Sequence, residues 1–229
     1  MIKKIAPILL ILAGLLIFLY PTIKDRYEIY QQRQILKAWE DNLQRIDQVP
    51  IDAQNTTADE QDQTPASVSP ALTGANSADD MEQRLQSKGI GKKSIEGVLI
   101  IDKINLKLPI ITNATQAHLA LSVASILHTG KPGQIGNYAI AGHRSHTYGK
   151  NFNRLDEIEI GDRIQVQTAD ETFTYIVNSK QYVKPTQVEV LEGNGKDSEI
   201  TLITCHPLYK PTQRIIVKGI LAENQNAES

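Results

Sequence analysis

Along the chain, apolar and polar positions change texture four times. Residues 5–20 form an apolar run broken by Pro7, preceded by Lys3 and Lys4 and closed by Pro21, Lys24, Asp25 and Arg26. At about 1.5 Å rise per residue, the run extended by Ile2 and Ile23 just crosses roughly 30 Å of hydrocarbon. It ends Ile17-Phe18-Leu19-Tyr20, without the small-x-small pattern that signal cleavage needs. Residues 1–24 therefore read as a single-pass transmembrane anchor. From 27 to 46 a polar helix carries a weak apolar stripe at Ile29, Ile35, Leu36, Trp39, Leu43 and Ile46, as a juxtamembrane stalk would. Residues 47–80 turn to Gln, Asn, Thr, Asp, Ser and Ala with Pro50, Pro65 and Pro70. Such a stretch buries too little surface to offset ordering entropy, so stalk and flexible linker together fill 25–88.

From residue 95 onward the pattern becomes short β-rich runs divided by turn residues. Strands are expected at 97–101, 107–111, 137–141, 163–168, 172–180, 188–191, 199–204 and 214–221. Turn signals such as Lys131-Pro132-Gly133, Gly161-Asp162 and Gly193-Asn194-Gly195 separate them, which suits a barrel or sandwich better than βαβ units. One helix is expected over 115–127, capped by Thr115 and with Leu119, Val123 and Ile126 at helical spacing, and a short turn at 151–155. The expected fold class is mainly β, an eight-stranded and mostly antiparallel barrel over 89–223 with one or two short helices, followed by a disordered tail at 224–229.

Charge and cysteine content narrow the function. A net charge of −2 with no basic stripe argues against a nucleic-acid partner, because neutralising phosphates requires clustered Lys and Arg. Lys3 and Lys4 favour an N-terminus inside the cell and Lys24 and Arg26 oppose it. The short N-terminal tail and the size of the chain beyond residue 24 put that larger part on the extracellular face of the cell membrane. Structural cysteines usually pair there, yet this chain has one cysteine, Cys205.

Alternation along 199–205 puts Thr201, Ile203 and Cys205 on one face and Ile200, Leu202 and Thr204 on the other. Cys205 is then either a small buried hydrophobe or a nucleophile at a strand end. A free thiol, with a pKa of about 8.5, needs a cationic neighbour to attack at neutral pH. Of five histidines, His118 falls in the expected helix, His128 at its end, and His206 points away from Cys205 by strand parity. His143 follows an apolar strand and Gly142, and His146 in the next loop is its rival. Arg214 opens the strand after Cys205, so a hairpin returns it to the cysteine with donors suited to a developing oxyanion.

Taken together, Asn137-Tyr138-Ala139-Ile140-Ala141-Gly142-His143, Thr201-Leu202-Ile203-Thr204-Cys205 and Arg214 resemble the histidine, cysteine and arginine segments of the sortases of Gram-positive bacteria. The resemblance covers residues 95–221 and includes Lys184-Pro185-Thr186-Gln187-Val188-Glu189-Val190-Leu191, similar to the border of the sorting-signal groove. It implies a sortase-type barrel and a cysteine transpeptidase that cleaves a Leu-Pro-x-Thr-Gly signal between Thr and Gly through a thioacyl intermediate. By that resemblance Cys205 is the nucleophile, His143 the acid and then the base, and Arg214 the signal-holding and oxyanion-stabilising group. Ala141, Val183, Pro185, Val188, Val190, Leu191, Thr201 and Ile203 would line the groove. The implied partners are surface proteins bearing a C-terminal sorting signal, and lipid II or another peptidoglycan amine as acceptor.

The chain looks most like the class A, housekeeping type. The stretch 128–136 lacks the carboxylates with which some class A members bind calcium, and Glu192 alone is not a calcium site, so no metal or cofactor is expected. No Asp-Pro pair marks a pilin-type lid. The loop between Cys205 and Arg214 is short, so signal recognition could differ from any one subclass, class D included. Competing readings are a zinc site drawn from His143, His146, Cys205 and His206, a papain-like protease whose Cys-before-His order this chain reverses, and a membrane-tethered β binding module with an inert Cys205.

Overall fold

The computed structural model describes residues 2–46 and 94–222; within the first helix, side chains at 2–9, 11–12, 17, 38 and 41–46 lie outside the description. Eight strands form a closed barrel: β1 (Ile95–Ile101), β2 (Leu106–Ile111), β3 (Val123–Ser125), β4 (Gly136–Ala141), β5 (Arg163–Gln167), β6 (Thr172–Val183), β7 (Ser198–His206) and β8 (Gln213–Leu221). Their spatial order is β1-β2-β3-β4-β7-β8-β6-β5, with β5 closing onto β1. Alternation explains the core: Leu99 and Ile101, Leu108 and Ile110, Tyr138 and Ile140, Ile200 and Leu202, and Ile215 and Val217 all turn inward into one buried cluster. At roughly 1.5–3 kcal/mol per buried large apolar side chain, this cluster dominates the stability of the barrel.

Seven expected strands appear within three residues of their expected ends, and two expectations are corrected. The helix expected over 115–127 is only α2 (Gln116–Leu121), with Thr115 accepting from the His118 N–H as its cap at 3.2 Å. Beyond it Val123, Ala124 and Ser125 become β3, parallel to β2 and antiparallel to β4. The β-branched Val123 is fully buried, and the Ser122 hydroxyl donates to the Pro109 carbonyl at 2.7 Å. Closing the gap between β2 and β4 outweighs helical spacing there. Residues 188–191, expected as a strand, form a 3-10 turn instead, since both neighbours of every strand are already taken. The barrel is mostly antiparallel, as expected, with β2–β3 and β4–β7 as its two parallel pairs.

The polar stalk is part of the folded body. Anchor and stalk form one helix, α1 (Ile2–Ile46), which does not stop at Pro21. Its stripe docks on the barrel: Ile35 is fully buried and Trp39 nearly so, while Leu43 and Ile46 lie outside the described side chains. Gln32 donates to the Leu121 carbonyl at 2.8 Å and to Asn151 Oδ1 at 2.7 Å. Lys150, whose side chain is 6% exposed, ion-pairs with Asp25 at 3.0 Å and with Glu28. A buried ammonium is tolerated only when paired in this way. Among the described residues no helix is long and apolar enough to cross a membrane. The run expected to span it falls partly on side chains outside the description, as the linker at 47–80 and the tail at 224–229 do entirely.

Trp39 is the chain's only tryptophan, so its fluorescence reports docking of α1 directly. Ile35→Ala should weaken docking by about 2–4 kcal/mol and shift the emission of Trp39 to the red. The Thr147 hydroxyl and Lys150 hold the Asp25 carboxyl below its usual value. Burial pulls Lys150 down, but Glu28 and Asp25 outweigh it and raise its ammonium. The Asp25 contribution is thus complete above the ordinary carboxylate value of 3.8 and is lost as pH falls through the lowered one. The Lys150 contribution is complete below 10.5 and is lost as pH rises through the raised value. Emission should therefore stay constant across the neutral range and move only at the two extremes.

Candidate active site

Cys205 lies near the end of β7, partly exposed, and Arg214 is its direct partner across the antiparallel β7–β8 pair. Directly opposed residues share a sheet face, so thiol and guanidinium project from the same side. In the next row outward Arg214 is opposite Val183 of β6. This face is the outer one, since Ile200 and Leu202 turn into the core and Thr201, Ile203 and Cys205 turn out. The hairpin expected from sequence thus brings the cysteine and the arginine together.

The histidine side is built by the parallel β4–β7 pair. Registered pairs run from Gly136 opposite Ser198 to Ala141 opposite Ile203. Two hydrogen bonds carry the register past the strand end: the Gly142 N–H donates to the Ile203 carbonyl at 3.0 Å, and the Thr204 hydroxyl donates to the Gly142 carbonyl at 2.8 Å. Continuing the same alternation, His143 falls beside Cys205 on the outer face, exposed, with its carbonyl accepting from the Phe152 N–H at 3.1 Å. Adjacent strands lie about 4.8 Å apart, which leaves imidazole and thiol within reach of one another. Cys205 and Arg214 therefore share one row across β7 and β8, and the β4 register, carried two residues past its end at Ala141, puts His143 at the same level.

Glycine is required at 142. A Cβ there would lie 2.6 Å from the Phe152 ring and 2.9 Å from Val123, both fully buried. Phe152 packs against the chain just before His143 and closes the loop that follows it.

The other histidines are engaged elsewhere. His118 Nδ1 lies 2.7 Å from the Asn113 carbonyl, His146 stacks on Tyr209 with centroids 4.9 Å apart, and His206 meets Arg144 and Tyr182. His128 is exposed at positive φ after β3. Among the described residues no three His, Cys, Asp or Glu side chains gather closely enough to hold a metal ion, so the zinc reading has no ligand set there.

The expected groove residues divide by depth. Ala141 and Ile203 are partly exposed beside the row, and Val190 and Leu191 are partly exposed on the 188–191 turn, with Pro185 and Val188 exposed. Val183 is 6% exposed and Thr201 is fully buried, so both lie beneath the surface. The Thr201 hydroxyl donates to Asn137 Oδ1 at 2.7 Å, and Asn137 Nδ2 donates to the Leu191 carbonyl at 2.8 Å and the Val190 carbonyl at 3.4 Å. Asn137 thus pins the 188–191 turn onto the sheet at the level of Glu199. Lys218 adds a bond to the Glu192 carbonyl at 3.2 Å, and a Cβ at Gly193 would lie 3.0 Å from the Asn137 nitrogen. Sequence reasoning missed Asn137. Its signal was a polar residue outward on β4, two residues before the one opposite the outward Thr201 of β7, legible only once those strands are paired.

A family model described as the sortase domain matches residues 99–222. Among curated proteins, sortase A of Bacillus anthracis is 33% identical over 132 residues, 58% of this chain and 62% of that protein. This match therefore spans less than two thirds of that relative. Sortase A of Listeria monocytogenes is 24% identical over 228 residues, 98% of this chain and 94% of that protein. Among solved structures, sortase C1 from Streptococcus agalactiae is 30% identical with a TM-score of 0.56, covering 59% of this chain and 71% of that one.

Replacing Asn137 by Ala should leave the buried Thr201 hydroxyl and two carbonyls of the turn without partners, at a cost of about 1–3 kcal/mol. The drop should appear as a lower denaturation midpoint with an unchanged m-value. Amide exchange over 188–192 should rise.

Proposed function

The chain belongs to the sortase family, whose members are cysteine transpeptidases of the cell surface, and from that premise we propose that it is a class A-like enzyme that anchors proteins to peptidoglycan. Its substrates are surface proteins ending in a Leu-Pro-x-Thr-Gly signal. Its acceptor is lipid II or another peptidoglycan amine. The observation that supports the reading is Cys205 opposite Arg214 on the outer face, with the β4 register extended past Ala141 bringing His143 to the same level, and a turn rich in apolar groups pinned to the same sheet.

In this reading the Cys205 thiolate attacks the threonine carbonyl carbon, and the carbonyl π electrons move onto oxygen. Arg214, opposite Cys205, holds that oxyanion; its described hydrogen bond, Nη1 to the Gln213 carbonyl at 2.9 Å, leaves the rest of its fork to face the groove. Collapse breaks the Thr–Gly C–N bond, His143 gives its proton to the departing glycine amine, and a thioester remains on Cys205. The acceptor amine then attacks the thioester carbon, loses its proton to His143, and the thiolate leaves. The apolar side chains of Ala141, Ile203, Val190 and Leu191 would seat the Leu-Pro portion and limit access of water to the thioester.

The residues ahead of α1's docked half are proposed as a single-pass anchor with the barrel outside the cell. Asp25, which contacts the barrel through Thr147 and Lys150, stands five residues beyond Tyr20, so such an anchor would hold the catalytic domain close to the bilayer.

Full-length protein in detergent, given a Leu-Pro-x-Thr-Gly peptide and an amine, should yield the ligated product by mass spectrometry and a thioester on Cys205. Cys205→Ala should abolish both, and a Cys205→Ala protein that still ligates would overturn the assignment. Arg214→Ala should lower kcat by about 100- to 1,000-fold, the loss typical of removing an oxyanion donor, with thioester formation as the slowed step.

A further inference from the structure

One more pair extends the β4–β7 register past His143 and Cys205. Arg144 and His206 are 62 residues apart, the same separation as Gly142 and Thr204, and Arg144 Nη1 lies 2.8 Å from His206 Nδ1. A guanidinium only donates, so Nδ1 must accept, which makes this imidazole neutral with its proton on Nε2. The same guanidinium donates through Nη2 to Asp156 Oδ2 at 2.6 Å and through Nε to the Asn153 carbonyl at 3.4 Å. Its side chain is 7% exposed. The His206 ring packs against Tyr182 with centroids 4.6 Å apart.

The position of this pair gives it its meaning. The β4 ladder ends at Ala141, two residues short of His143, and the Gly142 N–H supplies the last backbone bond to β7. Beyond that, no described backbone bond joins the two chains at the level where imidazole and thiol must meet. Two side-chain contacts bracket the level instead: Thr204 on Gly142 just before it, and Arg144 on His206 just after it. We propose that Arg144 is a positioning residue, clasping His206 so that His143 is held opposite Cys205 without itself touching substrate. This rests on the reading of Cys205 and His143 as the catalytic pair. Asp156 and Asn153 orient the fork, so a lysine, whose ammonium is a point charge, keeps the charge and loses the simultaneous contacts.

The test compares full-length wild type with Arg144→Lys, His206→Phe, His206→Asn and His143→Ala. Phenylalanine keeps a ring on Tyr182 but removes the acceptor, whereas asparagine offers its amide oxygen near the place of Nδ1. Three quantities are read: the pH profile of Cys205 alkylation by iodoacetamide, kcat and KM with the sorting-signal peptide, and the melting temperature. Arg144→Lys and His206→Phe should lower kcat at least tenfold with KM within twofold, and should move the alkylation profile toward that of His143→Ala. His206→Asn should restore most of both. Wild-type kcat and alkylation in Arg144→Lys or His206→Phe would overturn the proposal. So would a loss of kcat that follows melting temperature alone with an unchanged alkylation profile, or an alkylation profile indifferent to His143→Ala. If wild type made no product from the peptide, the transpeptidase reading would fall, while alkylation would still decide whether the clasp sets the histidine–thiol pair.

Discussion

The parallel register of β4 against β7 is the constraint on which this structure turns. Parallel neighbours cannot be joined by a hairpin, so the chain must leave the sheet and return after a long excursion. Here the excursion carries β5, β6, the loop after His143 and the 188–191 turn before β7 arrives beside β4. The residues that separate His143 from Cys205 in sequence therefore build the surroundings of both. A slip of one residue would send the two side chains to opposite faces of the sheet. The contacts that resist it are specific: Asn137 with Thr201, Thr204 with Gly142, and Phe152 against a glycine that cannot carry a Cβ.

These contacts work because they are buried and satisfied. Asn137 is 2% exposed, and both ends of its amide have partners. Burying such a group is costly when it is unpaired and specifying when it is paired, so it favours one placement of the 188–191 turn over its alternatives. The apolar side chains of that turn consequently stand on a fixed support. Docking of α1 extends the same logic to the other flank, where Thr147, Lys150 and Asn151, all in the loop after His143, are held by Asp25, Glu28 and Gln32.

What the sequence disclosed depended on the range over which its signals act. Strands β1, β2, β4, β5, β6, β7 and β8 announced themselves through alternation of buried and exposed positions, a local property. The hairpin joining Cys205 to Arg214 was equally local, needing only a short loop between two strands. β3 was hidden because Val123 also satisfied a helical spacing, and only the unpaired flanks of β2 and β4 settle its state. Residues 188–191 looked like a strand because an apolar run does not say whether an edge is available. Asn137 and Arg144 were silent in sequence, since each is defined by a partner dozens of residues away, and the apolar stripe of α1 was visible there without the barrel surface on which it docks. His143 sat between these cases: its strand and glycine were visible, but its advantage over His146 came from the resemblance, and its place beside Cys205 from the register.

Closure of the barrel has a consequence for how any peptide is received. Each described strand has a hydrogen-bonded neighbour on both sides, so among the described residues no strand is left as an open edge of the sheet. Strand addition, by which many domains bind extended peptides largely through the main chain and so with tolerance for sequence, has no place to begin. A peptide laid across the outer face of β4 and β7 meets side chains and the tips of turns instead. Recognition then has to be read from the peptide's own side chains and from its reacting carbonyl, which makes a short and fixed word a better ligand for this surface than a long and variable one.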